Sequence, residues 1–149
     1  MNWMEQLLQN PLLVRGLLAW ACSQVLKTII YAFINKRLDI FRMFGDGGMP
    51  SSHSATVMSV ATTCAILYGL SSFQFGVTAV LAFIVMHDAM GVRLETGKQS
   101  KILNEMIEFF ESLGKDLPSE EKLKEFVGHT PTQVIAGAIL GVVIAICLS

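Results

Sequence analysis

Ser51, Ser52 and His53 follow the stretch Gly45-Asp46-Gly47-Gly48-Met49-Pro50 and precede a run of small and apolar residues that begins at Ala55. Three glycines and a proline forbid regular structure up to Pro50, whereas the run from Ala55 reads as helix, so the Ser/His cluster sits at a loop-to-helix junction. The first-turn amides of such a helix have no intrahelical partner, and its dipole adds positive potential there. That junction is an anion site. Ser51, Ser52 and their backbone N–H groups can cradle phosphate oxygens, with His53 placed to transfer a proton. The plainer reading of the same residues is a capped helix with a passive histidine beside it. Lys27 bears on the choice, because it interrupts a mostly apolar stretch from Leu12 to Ile34 that also carries Gln24. It lies about 10 Å from the end of that stretch at helical rise, so its ammonium either snorkels to the interface or turns inward toward an anion.

The elements that must position these groups are membrane helices. Of the 149 residues 52% are hydrophobic and 15% charged, with a mean hydropathy of +0.54. This composition predicts an all-α integral membrane protein, a four-helix bundle forming one domain over residues 1–149. A net charge of −1 offers no basic field for nucleic acid. Cys22, Cys64 and Cys147 fall in apolar segments without paired spacing, which predicts free, buried thiols and neither a disulfide framework nor a zinc site. The N-terminus lacks a positively charged region and a small-residue cleavage site, so the first apolar segment is expected to stay in the mature protein.

Taken in order, Trp3, Leu7 and Leu8 suit a short interfacial segment before Pro11. The stretch Leu12 to Ile34 is the first span, and Asn35 to Arg42 is a basic connector at the membrane surface. Ala55 to Leu70 and Phe75 to Met90, joined by Ser71 to Gln74, read as an antiparallel hairpin of two further spans. Two crossings bring Asp88 and Arg93 back to the face that holds the glycine-rich loop, while His87 carries little functional weight. Ile102, Leu103, Met106, Ile107, Phe110 and Leu113 recur at helical spacing and predict an amphipathic helix ending before Gly114. A second short helix is expected from Glu120 to Val127 with Ser119 as its cap; both could lie on the membrane or cover a site.

The last span opens with Gly128-His129-Thr130-Pro131-Thr132-Gln133 and runs through Leu148. Its Gly137-Ala138-Ile139-Leu140-Gly141 permits close helix approach, either within the molecule or in a homodimer. Nine of the eleven Lys and Arg residues lie between Lys36 and Lys124, so the positive-inside rule makes the face with the Ser/His cluster cytoplasmic.

Pro50-Ser51-Ser52-His53 is similar to the Pro-Ser-Gly-His motif of the phosphatidic acid phosphatase type 2 and vanadium-dependent haloperoxidase superfamily. Gly128 to Gly137 is similar to its second-histidine segment. The chain most resembles the small, divergent membrane branch of that superfamily, through Gln24 and Lys27 in the first span, the run Gly47 to Ala55, Asp88-Ala89 with Gly91-Val92-Arg93 after the third span, and Gly128 to Pro131 before the fourth. The resemblance covers nearly the whole chain. It implies a bacterial cell-membrane enzyme that transfers phosphoryl groups through histidine, without a cofactor or a catalytic metal. His129 would attack phosphorus, His53 would protonate the leaving oxygen, and Lys27, Arg93, Ser51 and Ser52 would hold the remaining oxygens. The implied substrate is a phosphorylated lipid or a small phosphate or pyrophosphate ester, and phosphate or vanadate would occupy the same site.

Three departures from the superfamily pattern qualify this transfer. Its first motif has an arginine where this chain has Ile34, so Arg37 or Arg42 could substitute only through a different geometry. Arg93 and His129 are separated by the amphipathic insertion. Gln133 stands where a carboxylate would orient the attacking histidine and stabilise its cation, and Asp88 is the acid on a neighbouring helix that could replace it. The alternative function is therefore a non-catalytic membrane protein that binds or carries a phosphorylated ligand through the same cluster.

Overall fold

The computed structural model describes residues 2–36, 48–114, 123 and 128–149. The expected Arg37 and Arg42 of the connector, Gly45 to Gly47, and the short helix at 120–127 lie outside the described residues, Leu123 excepted. The described elements are all helices: α1 Trp3–Leu8, α2 Pro11–Asn35, α3 Ser52–Tyr68, α4 Phe73–Met90, α5 Val92–Ser112 and α6 Pro131–Cys147. Their starts follow from capping chemistry. Asn10 accepts from the Leu12 and Leu13 amides ahead of Pro11, Ser51 accepts from Ser54, Ser72 accepts from Phe75, and Pro131 enters α6 at its first turn after Thr130.

Helix α3 is the hub, packing against α2, α4 and α6. Its sequence explains why, since Ser52, Ser54, Ala55, Ser59, Ala61, Thr63 and Cys64 are buried and small enough to let neighbouring backbones come close. A Cβ built at Gly137 would run into the backbone of Ser51, and one at Gly141 into the Ala55 carbonyl oxygen. The small-x3-small face of α6 is thus occupied within the molecule by α3. The hydroxyls of α3 find partners as they are buried: Thr56 donates to the Ser52 carbonyl at 2.8 Å, Thr63 to that of Ser59 at 2.7 Å, and Ser59 across to that of Arg15 on α2 at 3.2 Å.

The pattern of burial is inverted relative to a protein folded in water. Among the described residues the buried apolar side chains are alanines, Cys64 and Val134, while Leu17, Phe33, Val80, Phe83, Ile84, Ile139 and Ile146 are exposed. Large apolar groups outside and small ones inside fit a bundle whose solvent is hydrocarbon. Helix α2 and the stretch Phe73–Ser112 are long and apolar enough to cross a membrane. At 17 residues each, α3 and α6 reach about 25 Å, close to the hydrocarbon thickness. Cys64 is buried as expected, but Cys22 and Cys147 are exposed; in a membrane bundle an apolar segment presents one face to lipid, so membership of a span does not imply burial.

Arg15, at the far end of the bundle, has a structural task. Its guanidinium donates to the Ala145 and Leu148 carbonyls at 3.5 and 2.5 Å, closing the C-terminus of α6, whose last carbonyls have no helical partner. The amphipathic helix ends at Ser112 before Gly114, as expected, and begins at Val92, ten residues ahead of the first apolar residue of its stripe. Gly91 carries the chain over from α4 without a loop: its N–H donates to the His87 carbonyl at 2.9 Å and its carbonyl accepts from Glu95 at 3.1 Å. From Glu95 to Lys101 α5 is polar, with an exposed Glu95–Lys98 ion pair, and carries no apolar stripe to read. Further along, Ile102, Leu103, Met106, Phe109 and Leu113 are exposed, which suits a helix resting on a membrane surface. Asn104 is buried and its amide pairs in both directions with the Leu123 backbone at 2.9 Å, tying the chain beyond α5 back onto that helix.

Candidate active site

Two long-range backbone hydrogen bonds bring the motif segments together. The Ser51 N–H donates to the Gln133 carbonyl, joining the start of α3 to the first turn of α6, and the His129 N–H donates to the Ala89 carbonyl in the last turn of α4, each at 3.0 Å. With both ends fixed, the imidazoles of His53 and His129 face each other, ring centroids 6.0 Å apart and planes inclined by 62°. His129 is buried and His53, in the first turn of α3, is half-buried.

Gln133 is a polar neighbour of His129. Its Oε1 accepts from the Thr130 backbone N–H at 3.1 Å and stands 3.3 Å from His129 Nδ1. A backbone N–H can only donate, so the amide atom facing it is the oxygen. The same oxygen faces Nδ1, which must then carry the proton, and the lone pair of His129 is left on Nε2. The glutamine thus orients the ring and selects its tautomer without adding a negative charge.

Lys27 is 4% exposed although it lies within a membrane helix. The chain after the glycine-rich loop packs on its stem: Gly48 has φ +86°, and a Cβ there would sit 3.3 Å from Lys27 Cγ. Both the left-handed backbone and the close approach call for glycine. Lys27 and Gln133 line one cleft of about 340 Å³, together with Tyr31, Asn35 and Gly48. Lys27, Ile30, Tyr31 and Ile34 fall on one face of α2, a spacing that could have pointed to Tyr31 and Asn35 from the sequence. A carbonyl-type acceptor stands three residues earlier: Gln24 is buried, and its Oε1 meets no hydrogen-bond donor among the described residues.

The remaining candidates fall as follows. Ser51 is fully buried as the cap of α3, and its Oγ accepts from the Ser54 hydroxyl at 3.1 Å and the Ser54 amide at 3.4 Å. Ser52 is buried in the first turn of α3. Asp88 is half-buried in the last turn of α4, next to the Ala89 that holds the His129 backbone. Arg93 is in the first turn of α5, which follows directly from that end of α4. His87 is stacked on Phe83, ring centroids 6.0 Å apart, on the outer side of α4. Lys27, Ser51, His53, His129 and Gln133 therefore gather at one end of the bundle, built from α2, α3 and α6. Among the described residues no group of three or more His, Cys, Asp and Glu converges as a metal site would need.

No solved structure matches the chain. The uncharacterized membrane protein YuiD of Bacillus subtilis (strain 168) is 38% identical over 153 residues, covering 97% of this chain and 97% of its own length. The model of the divergent PAP2 family matches residues 8–144, a range that takes in Lys27, His53, Arg93, His129 and Gln133. The chain is a membrane protein that belongs to the divergent PAP2 family.

Proposed function

We propose that the protein hydrolyses a phosphate or pyrophosphate ester, lipid-linked and approached from the membrane, through a phosphohistidine on His129. The observation that carries this reading is the paired histidines, with the His129 lone pair directed to Nε2 by Gln133. Ring centroids 6.0 Å apart put both imidazoles within reach of one phosphoryl group bound beside them, as a nucleophile and a proton donor must be. His129 Nε2 attacks phosphorus while the bond to the leaving oxygen breaks, and His53 gives that oxygen its proton. Water then attacks the phosphohistidine, His53 takes the water's proton, and the P–N bond breaks to release phosphate and neutral His129. Lys27, Arg93 and the first-turn amides of α3 are assigned the non-bridging oxygens, whose charge they offset throughout. Vanadate, which adopts a five-coordinate shape like the transferring group, is the expected inhibitor.

A second reading rests on Gln133. The ring of an Nε2-phosphorylated, Nδ1-protonated histidine is cationic, and an amide orients it without neutralising it. A protein that binds or carries a phosphorylated ligand needs the cations and amides but no such intermediate. Phosphate release from a panel of lipid phosphates and pyrophosphates separates the two. The hydrolase reading expects turnover that falls by about 10³ or more in His129→Ala while phosphate binding persists. Binding with no release from any member of the panel would leave the carrier reading.

A further inference from the structure

The polar cleft at Lys27 does not stop at the polar residues. Its walls include Ile30 and Met49, and the same two side chains line a second cavity of about 310 Å³ that runs along the seam between α2 and α6. Pro50, Leu26 on α2, and Ala136, Ile139, Leu140 and Val143 on α6 complete that groove. Residues 136, 140 and 143 are one stripe of a helix, about 10 Å long from Ala136 to Val143 at helical rise, so the groove leads from the cleft toward the far side of the bundle. Other apolar hollows exist on the surface, but they differ in what they adjoin. One between α4 and α6, at Phe83, Met86 and Ala138, shares no residue with the Lys27 cleft. Another, at Phe73 and Val77, lies at the opposite end of α4.

We infer that the α2–α6 groove holds one hydrocarbon chain of the substrate while its phosphate lies at the histidine pair, with Lys27 at the end of the groove on one of its oxygens. This rests on the phosphate reading of the site above and adds where the tail lies and what selects it. The cation at one end and the wholly apolar walls at the other match a phosphate headgroup joined to a single chain. Met49, exposed at the junction, sits where headgroup and tail meet. The groove opens sideways along exposed Leu26 and Ile139, so a chain can enter from the bilayer without leaving hydrocarbon. Binding along the tail is remote from phosphorus and serves to place the headgroup between the histidines.

The test compares substitutions on the two flanks of α6, Ala136→Phe in the groove and Ala138→Phe in the α4–α6 hollow. Protein in lipid nanodiscs is titrated with dodecyl phosphate, ethyl phosphate and inorganic phosphate. The expected result is at least a tenfold loss of dodecyl phosphate affinity in Ala136→Phe, with the two small probes within twofold of wild type, and all three within twofold in Ala138→Phe. Unchanged dodecyl phosphate binding in Ala136→Phe, or an equal loss in Ala138→Phe, overturns the groove. Should Ala136→Phe not fold, wild type bearing a dodecyl phosphate with a diazirine at the chain end decides: labelling at Leu26, Leu140 or Val143 supports it, and labelling at Phe83 or Met86 overturns it. A wild type that binds neither small probe sinks the phosphate reading and the groove with it, whereas a wild type that binds both but loses no tail affinity in Ala136→Phe sinks the groove alone.

Discussion

At His129 the choice of an amide over a carboxylate divides one task into two. Gln133 meets Nδ1 at 3.3 Å, a contact that can orient the ring but brings no negative charge of its own. Gln133→Ala should therefore lower kcat by about 10- to 100-fold with little change in KM, the usual cost of losing a group that orients a functional histidine. Gln133→Glu should raise kcat above wild type if charge on the ring limits the rate. Steady-state kinetics on one phosphate ester measure both; an Ala variant with wild-type kcat would remove Gln133 from the mechanism. Gly48 is a second residue with a double constraint. Gly48→Ala places a Cβ in a left-handed backbone, at a cost of about 1–2 kcal/mol, and presses it on the stem of Lys27. Weaker phosphate binding should accompany a lower melting temperature, and calorimetry on the same sample reports both.

At the scale of elements, the bundle is held by close backbone approach. Gly141→Ala forces α6 away from the Ala55 carbonyl and should destabilise by about 1–3 kcal/mol, as overpacking a tight interior does. Gly76→Ala in α4 is the matched control, since a Cβ there meets nothing within 4 Å; it should be neutral or stabilising by up to about 1 kcal/mol. Thermal unfolding in detergent distinguishes them, and equal effects would contradict the packing account. The spans, the loop-to-helix junction and the convergence of Lys27, His53 and His129 were legible in the sequence, because hydropathy, glycine, proline and caps act locally. Arg15 closing α6 was not legible, since its partners at Ala145 and Leu148 lie at the other end of the chain. The same holds for Asn104 pairing with Leu123, a matter of side-chain direction and not of periodicity, whereas Gln133, four residues after His129, was already placed as its neighbour. The exposed Cys22 and Cys147 show the converse limit: hydropathy finds a span but does not tell its inner face from its lipid face.

For the molecule as a whole, small residues inside and large apolar ones outside place the bundle in hydrocarbon with the histidine pair at one end. Lys36 caps α2, and Lys98 and Lys101 are on α5, which follows that end of α4; the positive-inside rule predicts from this bias that the end faces the cytoplasm. A cysteine introduced at Lys115, with Cys22, Cys64 and Cys147 replaced, should resist a membrane-impermeant thiol reagent in intact cells and react after permeabilisation; ready labelling of intact cells would reverse the orientation. The central claim, that phosphoryl passes through His129, is tested most directly by trapping. With p-nitrophenyl phosphate, whose leaving group needs no proton, His53→Ala should still phosphorylate His129 but release phosphate slowly, because no base activates the water. Mass spectrometry of the quenched protein at alkaline pH should then find the phosphoryl group on His129, and none in His129→Ala. Product release from wild type with no modification at His129 in any quenched His53→Ala sample would contradict the account.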